Sequence, residues 1–100
     1  MTPDQILVDV RTMLVGIIGP EYALGLDISM TTSFEADLEL ESIEFVKLAT
    51  MLAERYGDRV DFVGFLADKT LNQIIDLKVG DVVVYIEGCF APTGIATGNG

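Results

Sequence analysis

Residues 36–49 read ADLELESIEFVKLA, and the stretch changes character at Ser42. Upstream, Asp37, Glu39 and Glu41 alternate with Leu38 and Leu40, and Glu35 adds a further acid. Downstream, Phe45, Leu48, Ala49, Leu52 and Tyr56 recur at three- and four-residue spacing, with Val46 beside them. That is the stripe of a helix burying one side, and Glu44, Lys47, Thr50 and Glu54 supply the polar side. The spacing predicts a helix over 42–56, closed by Gly57-Asp58. A single serine therefore stands at a helix start, behind a block of negative charge.

Working outward, Thr2-Pro3-Asp4-Gln5 is a helix start, with Thr as N-cap, Pro at the first helical position and Gln at the third. Ile6, Val10, Met13, Leu14 and Ile17 continue it as an apolar stripe, and Gly19-Pro20 ends it. A connection runs from there to about Glu41. A loop this long needs internal packing, which Tyr22, Leu24, Leu26, Ile28 and Phe34 are expected to supply. Thr32 and Glu35 suggest a capping box around one short turn within it. Residues 59–68 suit either a short helix or an irregular apolar link. Thr70-Leu71-Asn72-Gln73 repeats the capping pattern and opens a short helix to about Leu77. VVVYI, within 81–87, has strand propensity. A lone strand would have nothing to pair with, so a last helix is expected there. Residues 1–88 are read as one domain and 89–100 as a flexible tail rich in Gly and Thr.

The 100 residues carry sixteen acids and six bases, a net charge of −10, at a mean hydropathy of +0.45. One small domain with one core is expected. Such acidity repels nucleic acid and anionic membrane surfaces. It favours proteins with basic patches as partners. Residues 35–44 hold Glu35, Asp37, Glu39, Glu41 and Glu44 without a base, which gives the charge a local role. No apolar run is long enough to cross a bilayer. The single cysteine, Cys89, suits a reducing compartment, and a cytoplasmic monomer is expected. The length and the leading methionine favour a free-standing protein.

There is no histidine, which removes Ser-His and Cys-His nucleophile pairs and the usual zinc sites. Lys47 is five residues from Ser42 on the same helix, a spacing that does not bring the side chains together. Residues 37–48 echo a calcium loop only in their alternating acids: Ser42 replaces its glycine and Leu48 its closing glutamate. No metal and no catalytic residue is assigned, and a non-catalytic protein is expected. Ser42 itself has two readings. It is an N-cap, or it is an attachment point whose phosphodiester would meet free amides and the positive end of the helix dipole.

Residues 33–48, SFEADLELESIEFVKL, resemble the acyl carrier protein signature, in which D-L-G-x-D-S-L precedes the second helix. Asp37 and Leu38 match its D-L, Ser42 its modified serine, and Glu41 and Ile43 stand in for the flanking Asp and Leu. Residues 70–86, TLNQIIDLKVGDVVVYI, resemble the closing pattern at Val79, Gly80, Asp81, Val82, Tyr85 and Ile86. The resemblance covers about residues 2–87. It implies an all-α bundle of three main helices plus one short helix, with a long loop between the first two. Ser42 would carry 4′-phosphopantetheine, received from coenzyme A through a phosphopantetheinyl transferase. The arm would hold acyl groups as thioesters for a ketosynthase, acyltransferase or acyl-activating enzyme of fatty-acid or, preferably, polyketide or specialised synthesis.

Asp37, Glu39, Glu41, Ile43, Glu44 and Lys47 would then meet partners bearing basic patches. Val46, Phe62, Phe65, Leu66 and Ile75 would line the acyl chain, with the two phenylalanines restricting it to a short one. Glu39 stands where the family has glycine, so a need for positive φ there would change the loop. Ile43 and Lys47 also depart from the family's usual leucine and acid, which points to a specialised carrier. The peptidyl branch's G-G-x-S-L run is absent, which favours acyl over aminoacyl cargo. Against all this stands an acidic helical adaptor without a prosthetic group, whose Ser42 is only a cap.

Overall fold

Thr2 opens the first helix as its sequence dictates. Its hydroxyl accepts from the Gln5 N–H at 3.3 Å, while the Gln5 side chain accepts from the Thr2 N–H at 3.2 Å. The computed structural model describes residues 2–23 and 25–90; Leu24 and residues 91–100 of the expected tail lie outside the described residues. Helix α1 (Pro3–Ile18) buries Ile6, Val10, Met13 and Leu14, with Ile17 half-buried at its end. Gly19, at φ 106°, stops it in a conformation that favours glycine. Pro20 then starts a short turn of helix, α2 (Pro20–Ala23), which the connection was not expected to contain.

Helix α3 (Ser42–Tyr56) has the expected bounds and buries Leu48, Leu52 and Tyr56. Val46, expected beside the buried stripe, is instead 57 % exposed. After a tight turn over Gly57–Arg59 come α4 (Phe62–Ala67), capped by the Asp61 carboxylate, and α5 (Leu71–Ile75), held by the Thr70–Gln73 box. VVVYI lies in the last helix, α6 (Val79–Phe90). Val79, Val82, Val83 and Ile86 are buried at helical spacing against α1, so packing overrides strand propensity. This helix continues through Cys89 and Phe90, past the expected boundary at 88. Among the described residues there is no strand, and no helix is long and apolar enough to cross a membrane. The three expected main helices are present, accompanied by three short ones where a single one was expected.

Helix α1 packs against both α3 and α6, and a side-chain cluster ties it to the end of α3. The Asp9 carboxylate accepts from the Tyr56 hydroxyl at 2.7 Å and from Arg55 Nε at 3.2 Å. Burial, reinforced by this bond, pushes the Tyr56 phenol well above its ordinary value of 10.0. A phenol raised in the folded state contributes stability that is present below pH 10 and is lost as pH climbs past the unfolded value. The melting temperature should therefore fall above about pH 10, and less steeply in Tyr56→Phe. At neutral pH that variant should lose about 1.5 kcal/mol for a bond to a charged acceptor. Thermal melts across pH check both; an identical alkaline slope in the variant would refute this role for Tyr56.

The long connection packs on Ile28, Phe34, Leu38 and Leu40, all buried. Tyr22 and Leu26, two of the residues expected there, are 77 % and 37 % exposed instead. The expected Thr32–Glu35 capping box does not form either. Thr32 is buried, and its hydroxyl accepts from the Ser29 N–H at 2.8 Å and donates to the Asp27 carbonyl at 3.1 Å. Ser33 caps the turn in its place, accepting from the Ala36 N–H at 3.0 Å.

The loop is also strapped to the start of α6. The Val79 N–H donates to the Thr32 carbonyl and the Gly80 N–H to the Met30 carbonyl, both at 2.8 Å, and the Phe34 N–H donates to the Leu77 carbonyl at 3.2 Å. The first amides of a helix have no partner within it, so the loop satisfies them. Holding the loop in this way also holds the approach to Ser42.

Candidate functional site

The run of alternating acids and leucines before Ser42 has a packing cause. Leu38 and Leu40 point into the core at 7 % and 4 % exposure, so Asp37, Glu39 and Glu41 point into water. The Asp37 carboxylate accepts from the Ser33 N–H at 2.7 Å, and the Leu40 N–H donates to the Phe34 carbonyl at 3.0 Å. Between the leucines, Glu39 takes φ 53°, the one positive φ of a non-glycine residue among those described. The loop thus takes a left-handed backbone here despite glutamate. Such a conformation costs an ordinary residue about 1 kcal/mol. Glu39→Gly should raise stability by up to that amount, which chemical denaturation measures; a loss of stability would show that the carboxylate holds the turn.

Glu41, extended at φ −92° and ψ 167°, is the N-cap of α3, so Ser42 is the first helical residue and not the cap. The Glu44 carboxylate closes this start by accepting from the Glu41 N–H at 2.9 Å. Ser42 is exposed, and its hydroxyl bonds to none of the described residues. The amides of Ser42 and Ile43 donate to no described group either, whereas those of Glu44 and Phe45 bond to the Glu41 carbonyl. An accessible nucleophilic oxygen beside two free amides at the positive end of a fifteen-residue helix suits a phosphodiester. The carboxylates of Glu41 and Glu44 oppose it, though screening over about 8 Å limits that repulsion for exposed groups.

Ser42 also stands on the rim of an apolar groove of about 260 Å³, lined by Phe45, Val46, Ala49, Val63, Leu66 and Ile74. Of the expected acyl-chain contacts, the fold brings Val46 and Leu66 to this groove. Phe62 is 2 % exposed and lies in the core. Phe65 lies under Tyr85 with ring centroids 4.4 Å apart, and Lys69 Nζ sits 4.3 Å over its ring. It lines a different, more polar hollow with Asn72 and Gln73. Ile75 is not among the residues that line the groove, whereas its neighbour Ile74 is. Phe45, Ala49, Val63 and Ile74 are groove residues that the sequence reading does not single out. Phe45 and Ala49 are legible on the α3 stripe, but α4 and α5 are too short for periodicity to fix which residue faces α3.

Of the expected partner contacts, Asp37, Glu39, Glu41, Ile43 and Lys47 are exposed, and Glu44 is half-buried by its capping role. Ile43 and Val46, 59 % and 57 % exposed, add apolar surface beside the acids.

A family model described as a phosphopantetheine attachment site matches residues 21–77, more than half of the chain. The match spans the strapped loop, Ser42, the groove and α3 to α5. No curated protein and no solved structure matches the chain.

Proposed function

Because the chain belongs to the phosphopantetheine attachment site family, whose members hold 4′-phosphopantetheine covalently, we propose that Ser42 is its attachment point and that the protein is an acyl carrier. The observation that carries this is the exposed Ser42 hydroxyl on the rim of an apolar groove, where neither it nor the Ser42 and Ile43 amides bond to any of the described residues. Transfer from coenzyme A needs the Ser42 oxygen to attack the pyrophosphate phosphorus nearest the pantetheine. A P–O bond forms to Ser42, the P–O bond to the adenosine bisphosphate leaving group breaks, and the hydroxyl proton passes to a base on the transferase. The chain's own contribution is positional. Leu38 and Leu40 anchor the approach, Glu44 holds the helix start, and the Ser42 and Ile43 amides face the phosphodiester. The arm supplies a thiol for thioester chemistry, and the groove beside Val46 and Leu66 offers its cargo an apolar surface.

The apolar groove and the Glu39-Leu40-Glu41 approach support acyl rather than aminoacyl cargo. Ile43 and Lys47 support polyketide or specialised synthesis over housekeeping fatty-acid synthesis, with a phosphopantetheinyl transferase and basic-patched synthase enzymes as partners. Catalysis then belongs to those partners, and the carrier domain runs through the end of α6, past the expected boundary at 88. Incubation with coenzyme A and a broad-specificity transferase should add one phosphopantetheine to the intact mass. An unchanged mass would leave the adaptor reading in its place.

The exposed acids are proposed to steer basic partners, since charge at the rim of an interface acts chiefly on association rate. Glu41→Gln with Glu44→Gln keeps an acceptor for the Glu41 N–H while removing two charges. The pair should slow association with a basic partner enzyme several-fold at low ionic strength, in the manner of other steered encounters. Near physiological salt the effect should fade. Stopped-flow binding across salt concentrations checks this; a salt dependence equal to wild type would sink the steering role.

A further inference from the structure

Phe45 belongs to two neighbourhoods at once. It lines the groove beside Ser42, and its ring lies 5.6 Å from Phe34 and 6.5 Å from Phe62. Those two rings are 0 % and 2 % exposed, among the most deeply buried large side chains. The row continues from Phe62 to Phe65 at 6.0 Å and from Phe65 to Tyr85 at 4.4 Å. Its far end is tied down, because the Tyr85 hydroxyl accepts from the Asp61 N–H at 3.0 Å and donates to the Asp61 carbonyl at 3.1 Å. Interiors are close-packed, so a ring backed by two buried rings has no space to swing into. The groove is therefore a shelf whose floor is the Phe45 ring, with the filled core directly behind it.

We infer that Phe45 sets the length of cargo the carrier shelters: its ring closes the floor beneath Ser42 and confines a docked acyl chain to a short one along Val46, Ala49, Val63, Leu66 and Ile74. This rests on the acyl-carrier reading of Ser42. Each methylene that leaves water shifts the docked-to-undocked ratio about fourfold. On a closed shelf that gain stops once the floor is covered, and further methylenes return to solvent. With the floor removed, the same chain would continue toward Phe62 and Leu48. The sequence pattern points to Phe62 and Phe65 for such a limit; the structure places neither in the groove and gives the role to Phe45.

The test loads the protein with saturated acyl chains of increasing length and follows its two-dimensional amide spectrum. In wild type, shifts at Val63, Leu66 and Ile74 should grow over the short chains and then plateau, leaving Leu48 and Phe62 unmoved. In Phe45→Leu, which keeps an apolar side chain but opens the floor, the plateau should move to longer chains, with about fourfold in docked population for each added methylene. Leu48 and Phe62 should then respond. Val8→Ala, at a residue 53 % exposed on α1 and outside the groove lining, makes the same truncation elsewhere and should leave the plateau in place. Shifts that keep growing in wild type and reach Leu48 and Phe62 would overturn the inference, as would a Phe45→Leu plateau equal to wild type. Should Phe45→Leu lose the native fold, the wild-type series decides between plateau and growth. Mass gain with no groove response at any length would overturn the shelf while leaving the carrier reading intact. No mass gain at all would remove both.

Discussion

Ser42→Ala should unfold at the same temperature as wild type and gain no mass from coenzyme A and transferase. The two halves of that result come from one geometric fact. Had Ser42 been the cap of α3, its loss would cost about 1 kcal/mol. Glu41 is the cap, Glu44 closes the helix start, and the Ser42 hydroxyl holds nothing among the described residues. Alanine is the best helix former, so the fold should change in stability by no more than about 0.5 kcal/mol. Loading should fall to nothing, because neither other serine presents a free hydroxyl. Ser29 Oγ lies 3.2 Å from the Thr31 hydroxyl, and Ser33 Oγ accepts from the Ala36 N–H. A mass gain in the variant would move the attachment site off Ser42. A clear drop in melting temperature would mean that the hydroxyl holds the helix start after all.

Gly80→Ala should be strongly destabilising. Glycine inside a helix normally costs about 1 kcal/mol relative to alanine, so propensity alone predicts a stabilised protein. Here an added Cβ would sit 2.5 Å from the Met30 carbonyl oxygen and 3.3 Å from the Met30 carbonyl carbon and Cβ. The oxygen in the way is the acceptor of the Gly80 N–H itself, so neither group can move without breaking that bond. Overpacking of roughly 3 kcal/mol and a lost hydrogen bond of about 1 kcal/mol outweigh the propensity gain. The net loss is about 3 kcal/mol, or on the order of 15 °C in melting temperature for a domain of this size. Gly88→Ala in the same helix, with nothing within 4 Å of its Cβ, should instead stabilise. Thermal melts of the two variants give opposite signs if the clash decides, and the same sign if helix propensity does.

Helices α1 and α3 are legible in the sequence because each carries a periodic stripe and a local start or stop signal. Thr2 and Thr70 announce their helices by the residue three positions on, and both boxes form. VVVYI is legible only by exclusion, since five strand-forming residues without a partner strand must go elsewhere. Register inside the loop is harder. Thr32 and Ser33 are adjacent hydroxyl residues with equal claims to cap a turn, and the difference is tertiary: Thr32 is consumed by Asp27 and Ser29. The groove shows the same limit. On a helix of five or six residues, neighbours differ by about 100° and no repeat identifies the inward one. Ile74 and not Ile75, Val63 and not Phe62, therefore line the groove on α3, and only the docking of α4 and α5 decides it. Glu39 is the plainest case, because nothing in a glutamate announces a left-handed backbone.

The strap between the loop and α6 makes part of this domain a clock. The amide protons of Val79 and Gly80 sit against the Thr32 and Met30 carbonyls, and they meet solvent only when the loop lifts. In heavy water their exchange would time that opening, one cooperative event reported from the far side of a long stretch of chain. A transferase or synthase that grips the approach to Ser42 would slow the clock. A partner that touches only α3 would leave it running at its native rate.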